Sequence, residues 1–295
     1  MTYIKLQSFW KKRPFVWIHK LALFGFWTGF NPAFGISSLL VHIAWLHNPG
    51  WPVQQWPTVL SFHLFFQTMY MLDRVKEAQT NIGSLNITKI IQPSGFVRCY
   101  PKAFRLGLLG IITVQLICAW SQPYILFAAL GSLGISLPYF LTLPGLNIRV
   151  KDLPFFKNIY SAAAVLLNTY LFFAFWPKGE ALLFSCFVFV FYICNANIYD
   201  LKDVKDDRKN NIKTFANSLS LKHFLLFELM LVLALGAYAW FLLPSLQWIV
   251  WWALLSALFC LAILTHRKFE LNLAIWLDLL MSGPFMLHEL TLFFG

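Results

Sequence analysis

Nine long apolar runs, separated by polar connections, make up most of this chain. They fall near residues 17–46, 56–72, 104–120, 123–143, 154–176, 181–199, 221–243, 246–265 and 271–293. A transmembrane helix needs about 20 mostly apolar residues, within a range of roughly 17–25. The pattern therefore predicts an all-α, polytopic membrane protein in which a bundle of nine transmembrane helices forms a single domain over residues 1–295.

The composition agrees with a membrane protein. Hydrophobic residues make up 59% of the chain and charged residues only 12%, whereas about 25% of the residues in a typical soluble domain are charged. The net charge of +11 could indicate a nucleic-acid partner. Because the basic residues gather in particular connections between apolar runs, we expect membrane lipid rather than nucleic acid as the surrounding partner.

The basic residues also predict the orientation of the chain. Of the 23 lysines and arginines, 22 lie near the N-terminus or in every second connection, and only Lys178 lies elsewhere. Connections rich in Lys and Arg stay in the cytoplasm. We therefore expect an integral, multi-pass protein with a cytoplasmic N-terminus and a C-terminus on the opposite side.

Carboxylates concentrate in the connection after the sixth run. Four aspartates occur within eight residues, interspersed with basic side chains: Asp200, Asp203, Asp206 and Asp207. If the preceding helix continues, Asp203 and Asp207 share one face because they are four residues apart. A solvated connection at a helix end would explain the basic residues, but it would not explain the aspartates, because topology is nearly indifferent to negative charge.

A second pair of carboxylates, Asp73 and Glu77, follows the second apolar run with the same spacing. Both acidic segments are predicted to lie on the cytoplasmic side. Carboxylate oxygens are the ligands that Mg²⁺ prefers, and Mg²⁺ in turn binds phosphate groups. The sequence therefore predicts a diphosphate–Mg²⁺ site at a cytoplasmic mouth.

These features resemble the UbiA superfamily of intramembrane prenyltransferases. Residues 199–214 resemble its motif N-D-x-x-D-x-E-G-D-R-x-x-G-x-x-T. They match it at Asp200, Asp203, Asp207, Arg208 and Thr214, and depart from it at Tyr199, Lys205, Asp206 and Asn211. Residues 154–158 are similar to the P-x-x-K-N segment that opens the fifth helix of the family, with Lys157 as its lysine.

The first acidic motif of the family, N-D-x-x-D-x-x-x-D, is matched less completely. Asp73 and Glu77 supply carboxylates at two positions, whereas Met69 and Tyr70 stand where the family has Asn and Asp. Two of the four ligand positions are therefore retained.

The resemblance implies a UbiA-like fold and a Mg²⁺-dependent transfer of a prenyl group from a polyprenyl diphosphate to a lipophilic acceptor, expected to be aromatic. It implies catalytic roles for Asp73, Asp203 and Asp207. The metal ligands that it implies are Asp73, Glu77, Asp200, Asp203 and Asp207. Cationic contacts to the diphosphate are expected from Lys157, Arg208, Arg149, Lys151 and Arg98.

Polar residues inside the apolar runs are further candidates, because burying them in a membrane is costly unless they face a cavity or a partner. They include Asn168, Glu228, Asp278 and Glu289. Asn197, one turn before Asp200, is the strongest of these polar candidates for contact with the substrate.

Two other functions are compatible with the pattern. A terpene cyclase of the same superfamily would ionise the diphosphate and quench the cation intramolecularly. A non-catalytic UbiA-like membrane protein, or a transporter, is the second alternative. A transporter is expected to place its polar and broken-helix features near the membrane midplane, whereas the carboxylates here lie at helix ends.

Overall fold

The computed structural model describes residues 30–48, 55–80, 97, 100–141, 149–201, 204–209, 211–266, 286–287 and 289–290. Over these ranges the chain is helical and contains no strand. The prediction of an all-α fold is thereby confirmed.

The helices follow the apolar runs closely. In chain order they are α1 (Phe30–His47), α2 (Trp56–Thr80), α3 (Pro101–Ser121), α4 (Tyr124–Phe140), α5 (Phe156–Phe172), α6 (Gly179–Asp200), α7 (Val204–Lys209), α8 (Phe215–Ser218), α9 (Leu221–Leu242) and α10 (Gln247–His266). Short 3₁₀ turns, Val150–Asp152 and Pro244–Leu246, precede α5 and α10.

Three of these helices, α3, α6 and α9, are long and apolar enough to cross a membrane, judged by length and composition. Most of α3 faces outward: only Phe104 and Cys118 are buried among its 21 residues, and Trp120 is 91% exposed. An apolar surface of this extent is typical of contact with lipid or with another protein. The ninth predicted run, 271–293, lies almost entirely outside the described residues.

The helices behave differently at the two acidic segments. Helix α2 continues to Thr80, so Asp73 and Glu77 lie on the same helix. Helix α6 does not continue through Asp207, so the condition for a shared face of Asp203 and Asp207 is not met: α6 ends at Asp200 and a separate helix begins at Val204. The amide of Leu201 donates to the carbonyl of Ile198 at 3.2 Å, which tightens the last turn of α6.

Helix α6 lies at the centre of the described bundle and packs against α1, α5 and α9. Aromatic side chains fill the core between these helices. Phe62 of α2 is fully buried, and its ring meets the rings of Phe172 and Phe173 edge to face at 5.3 and 5.0 Å. Such edge-to-face pairs add about 0.5–1.5 kcal/mol beyond the burial of their area.

The two ends of the bundle have different chemistry. At one end, the helix termini are joined by hydrogen bonds without an ion pair among the described residues: Gln122 Nε2 donates to Gln55 Oε1 at 2.8 Å, and the Ser245 hydroxyl group donates to the carboxylate of Glu180. At the other end lie Lys157, at the start of α5, and Asp200, at the end of α6. Adjacent helices therefore run antiparallel, and the acidic segments meet at one end only.

A buried polar cluster connects α1 and α2 to the C-terminal segment. His63 Nε2 donates to Glu289 Oε1 at 2.7 Å, and the Ser37 hydroxyl group is hydrogen-bonded to His63 Nδ1. The ring of Phe34 stacks on the imidazole at 4.6 Å. Glu289, predicted from the sequence to need a polar partner, has one in His63.

Candidate active site

Lys157 is the centre of a buried ionic cluster at the acidic end of the bundle. Its Nζ lies 2.6 Å from Asp200 Oδ1 and 3.4 Å from Asp207 Oδ2. Asp200 and Asp207 are 4% and 6% exposed. Lys157 on α5 therefore contacts two other residues that the sequence singled out, one on α6 and one on α7.

The start of α5 is tied to the chain that follows α7. Phe155, just before the helix, has a φ of 61°, in the left-handed region that bulky residues rarely adopt. Its amide donates to the carbonyl of Lys213 at 2.9 Å. This bond holds the first turn of α5, and with it Lys157, against the segment that follows Asp207.

A chain of buried hydrogen bonds extends from the ionic cluster into the bundle. Asn158 Nδ2 donates to Asp200 Oδ2 at 2.9 Å and to Asn197 Oδ1 at 2.7 Å. Asn197 Nδ2 donates in turn to Glu228 Oε1 at 2.8 Å. The structure thus places Asn197 inside a network that positions Asp200, whereas its predicted contact with the substrate stays a prediction.

A cavity of about 180 Å³ lies between α2, α4, α5 and α6. Six aromatic side chains form much of its wall: Phe65, Phe66, Tyr70, Tyr139, Tyr160 and Tyr192. Asp73 also lines it, together with the polar residues Ser136, Ser161 and Asn168. An apolar cavity with a few placed polar groups is the usual form of a small-molecule site.

Tyr139 lies near both acidic segments. It lies within electrostatic reach of Asp73 from α2 and also of Lys157 and Asp200. Lys151 Nζ lies 5.4 Å from the centre of the Tyr139 ring. The first acidic segment, the ionic cluster and a basic residue therefore converge around one tyrosine of the cavity wall.

Arg149 is bound to a neighbouring carboxylate. Its Nε and Nη2 donate to the two oxygens of Asp152 at 2.9 and 2.7 Å. Burial alone would raise the pKa of Asp152, but the hydrogen bonds from Arg149 outweigh burial and lower it. Arg208 is exposed and donates to the carbonyl of Asn217 at 3.1 Å, so it lies at the rim of the ionic cluster.

Several predicted site residues lie outside the described residues. Asp203 and Arg98 do so entirely, and Glu77 is described only as a backbone position in α2. Within the described part of the chain, no group of three or more His, Cys, Asp or Glu side chains could hold a metal ion. The metal ligands implied by the resemblance therefore remain predictions.

The chemistry of the described groups nevertheless suits Mg²⁺. Asp73 and Asp207 provide carboxylate oxygens, the hard donors that this ion prefers. Both oxygens of Asp200 are already bonded, to Lys157 and to Asn158. Asp73, which lines the cavity, and Asp207, which lies 3.4 Å from Lys157 compared with 2.6 Å for Asp200, are therefore better placed for the ion.

Sequence reasoning singled out four residues that line the cavity, Met69, Tyr70, Asp73 and Asn168, but not the rest of its wall. A signal for part of the rest was present: Ser161 and Val165 follow Lys157 at intervals of four and eight residues, on the helix face that also carries Asn168. That face could have been traced from Lys157. The tyrosines on α4 and α6 carried no such signal among so many aromatic residues.

The fold and the site define an all-helical protein with a buried lysine–carboxylate cluster beside an aromatic cavity. Neither a protein-family model, nor a curated protein, nor a solved structure matches this chain.

Proposed function

We propose that this chain is a Mg²⁺-dependent intramembrane prenyltransferase that moves a prenyl group from a polyprenyl diphosphate to an aromatic acceptor. We further propose nine transmembrane helices of UbiA-like arrangement, with the N-terminus and the mouth of the site in the cytoplasm and the C-terminus on the opposite side. The observation that carries this proposal is an aromatic cavity lined by Asp73, whose Tyr139 lies within electrostatic reach of the ionic cluster of Lys157, Asp200 and Asp207.

The charge of the site supports a phosphate ligand bound with a cation. Asp73, Asp200 and Asp207 carry three formal negative charges, and Lys157 supplies one positive charge. A diphosphate alone would be repelled by this excess of negative charge, since like charges close together repel each other strongly away from bulk water. Mg²⁺ bound by Asp73, Glu77, Asp203 and Asp207 would neutralise the charge that develops on the leaving diphosphate.

The basic residues of the site would bind the diphosphate, and the transfer then proceeds by cleavage of one bond and formation of another. Lys157, with Lys151 and Arg149 nearby, would attract the anionic diphosphate to the mouth. The C1–O bond of the prenyl diphosphate breaks, and its electron pair leaves with the diphosphate oxygen. An electron pair of the acceptor ring then forms the new bond to C1, and the ring loses its proton to the released diphosphate.

The aromatic wall of the cavity suits the cationic prenyl fragment that this reaction forms. The faces of tyrosine and phenylalanine rings attract cations by about 0.5–2 kcal/mol. Tyr139, Tyr192 and Phe66 provide such rings close to Asp73. The same side chains exclude water, which would otherwise capture the cation.

The test is a prenyl-transfer assay on the full-length protein in lipid nanodiscs. Radiolabelled geranylgeranyl diphosphate and Mg²⁺ are added with and without phenolic or naphthoate acceptors. A lipophilic product that requires the acceptor is expected. Product formed without any acceptor would indicate the cyclase instead, and a protein that forms neither product would contradict an enzymatic role.

Variants at the two ends of the bundle test whether prenyl transfer depends on the acidic end. Asp207→Asn and Asp203→Asn are each expected to abolish turnover, and Glu77→Gln to reduce it less. Glu180→Gln is the matched control, since Glu180 lies at the opposite end of α6, bonded to Ser245. Equal losses in Asp207→Asn and Glu180→Gln would refute the assignment of the site to the acidic end.

A further inference from the structure

A carboxyl group lies fully buried inside the bundle, away from the proposed site: that of Glu228, on α9. Its three neighbours on either side along the chain are apolar. A carboxyl group placed among apolar helices is costly unless it has a polar partner. The partner lies on the adjacent helix α6, where Asn197 Nδ2 donates to Glu228 Oε1 at 2.8 Å.

The two amides between Glu228 and Asp200 have fixed orientations. Asn158 Nδ2 donates to Asn197 Oδ1 at 2.7 Å and to Asp200 Oδ2 at 2.9 Å. A side-chain amide donates only through its nitrogen and accepts only through its oxygen. If the Asn197 amide turned over, its nitrogen would face the nitrogen of Asn158, and neither could accept. By accepting from Asn197, Glu228 therefore fixes the orientation of both amides.

Asp200 connects these amides to the cation of the site. Its Oδ1 lies 2.6 Å from Lys157 Nζ, and its Oδ2 accepts the hydrogen bond from Asn158. Because both oxygens are bonded, the carboxylate group cannot rotate without losing one of these contacts. The position of the Lys157 ammonium group thus depends on Asp200, and the position of Asp200 depends on the amides.

We propose that Glu228 is a positioning residue of the diphosphate site. It orients the amides of Asn197 and Asn158, which hold Asp200 and, through it, the ammonium group of Lys157. This inference rests on the proposed function, in which Lys157 attracts the anionic diphosphate. Glu228 is not among the described residues that line the cavity, so its effect passes through the intervening side chains.

The acceptor oxygen of Glu228, rather than its charge, performs this role. Two conservative variants separate these properties. Glu228→Gln retains an acceptor oxygen at the same distance along the side chain and removes the charge. Glu228→Asp retains the charge and withdraws the oxygens by one methylene group, and a hydrogen bond weakens steeply when its geometry is disturbed. Only Glu228→Asp is expected to release Asn197.

The first test measures the affinity of the full-length protein in nanodiscs for inorganic diphosphate with Mg²⁺, by isothermal titration calorimetry. Glu228→Asp is expected to weaken binding about tenfold, since a displaced ammonium group loses a charge-assisted contact to the anion. Glu228→Gln is expected to match the wild type. The dissociation constant of the folded protein does not change merely because a variant is less stable, so this measurement separates positioning from stability.

Glu289→Asp is the matched control. Glu289 is also a buried carboxylic side chain, but it is bonded to His63 Nε2 at 2.7 Å, in the polar cluster that connects α1 and α2 to the C-terminal segment. The same loss of one methylene group there is expected to leave the affinity for diphosphate unchanged.

A second measurement needs no ligand. Free energies of unfolding of Glu228→Asp, Lys157→Met and the double variant give the coupling between two residues that share no hydrogen bond in the described part of the chain. Once Lys157 is replaced, the position of Asp200 no longer affects a cation, so Glu228→Asp should cost less. The unfolding equilibrium constant of the double variant is expected to be about fivefold smaller than independent effects predict.

The proposal would be overturned by equal affinity of Glu228→Asp and the wild type for diphosphate, by an equal loss of affinity in Glu228→Gln or Glu289→Asp, or by additive effects on unfolding. A wild-type protein that binds no diphosphate would contradict the proposed function, and the unfolding measurement would still decide whether Glu228 holds Lys157. Diphosphate binding with the expected losses, but without prenyl transfer, would contradict the transferase alone.

Discussion

The ammonium group of Lys157 lies 2.6 Å from Asp200 Oδ1, so a buried ion pair joins the first turn of α5 to the last turn of α6. The other oxygen of Asp200 accepts a hydrogen bond from Asn158 at 2.9 Å. Both oxygens are therefore bonded to one helix. The acidic end of the bundle depends on this contact for its shape as well as for its charge.

Lys157→Met is expected to destabilise the protein strongly. The substitution leaves Asp200 buried without its cation, and breaking a buried pair in this way costs about 3–5 kcal/mol. The measurement is the free energy of unfolding in mixed micelles, compared with Lys151→Met, whose ammonium group lies over the Tyr139 ring at 5.4 Å. Lys151→Met is expected to lose about 1 kcal/mol or less, and equal losses would contradict the role of Lys157.

Glu228 is expected to act through its acceptor oxygen on Asn197, 2.8 Å away. Glu228→Leu leaves the Asn197 amide unpaired and should cost about 1–3 kcal/mol of stability. Glu228→Gln retains an acceptor oxygen and should cost much less. The measurement is the free energy of unfolding of each Glu228 variant, alone and combined with Asn197→Leu, which gives the coupling energy between Glu228 and Asn197. A coupling energy of zero would show that the hydrogen bond does not contribute to stability.

Met69→Asn combined with Tyr70→Asp is expected to lower the Mg²⁺ concentration needed for half-maximal prenyl transfer. Both residues line the cavity beside Asp73, and the change replaces a thioether and a phenol with the oxygen ligands that Mg²⁺ prefers. Tyr192→Phe is the control, because it removes the hydrogen bond between Tyr70 and Tyr192 without adding a ligand. A folded double variant with an unchanged or higher Mg²⁺ midpoint would argue against metal binding by α2.

The contact between Arg149 and Asp152 predicts a pH dependence. The pKa of Asp152 is lowered in the folded protein, so the contact stabilises the fold above the ordinary aspartate pKa of about 3.9. Its contribution is lost as the pH falls through the lowered value. The melting temperature of Asp152→Asn is therefore expected to lie below that of the wild type at pH 7. The gap should narrow as the pH is lowered below the ordinary aspartate pKa of about 3.9, and a gap independent of pH would contradict this account.

The proposed orientation predicts the accessibility of introduced cysteines. Cysteines at positions 81, 147 and 210 are expected to react with a membrane-impermeant reagent only from the cytoplasmic side, and those at 52 and 245 only from the opposite side. The reason is the placement of 22 of the 23 lysines and arginines. Labelling of positions 147 and 245 from the same side would rule out the nine-helix topology.

Local sequence patterns were enough to locate the helices. The runs at 181–199 and 221–243 correspond to Gly179–Asp200 and Leu221–Leu242 within two residues at each end. Long apolar runs bounded by proline and polar residues leave few alternatives to a helix. Helix α2 was underestimated, because it continues past its apolar run through a polar segment that still favours a helix.

The contacts within the site were only partly predictable. The motif spacing brought Lys157 and Asp200 to attention, and the structure places them in contact. The path from Asn158 through Asn197 to Glu228 was not predicted. It depends on how three helices are rotated about their axes, and one sequence does not specify which polar residues on separate helices face each other.

The hydrogen bond between His63 and Glu289 has a consequence for synthesis of the protein. The two residues are 226 positions apart, and a ribosome adds roughly 5–20 residues per second. In the proposed topology, the imidazole of His63 thus enters the bilayer about 10–45 s before its carboxylate partner exists. A chain that terminates early would keep His63 bonded to Ser37 but without its carboxylate partner, a feature by which membrane proteases could separate unfinished chains from complete ones.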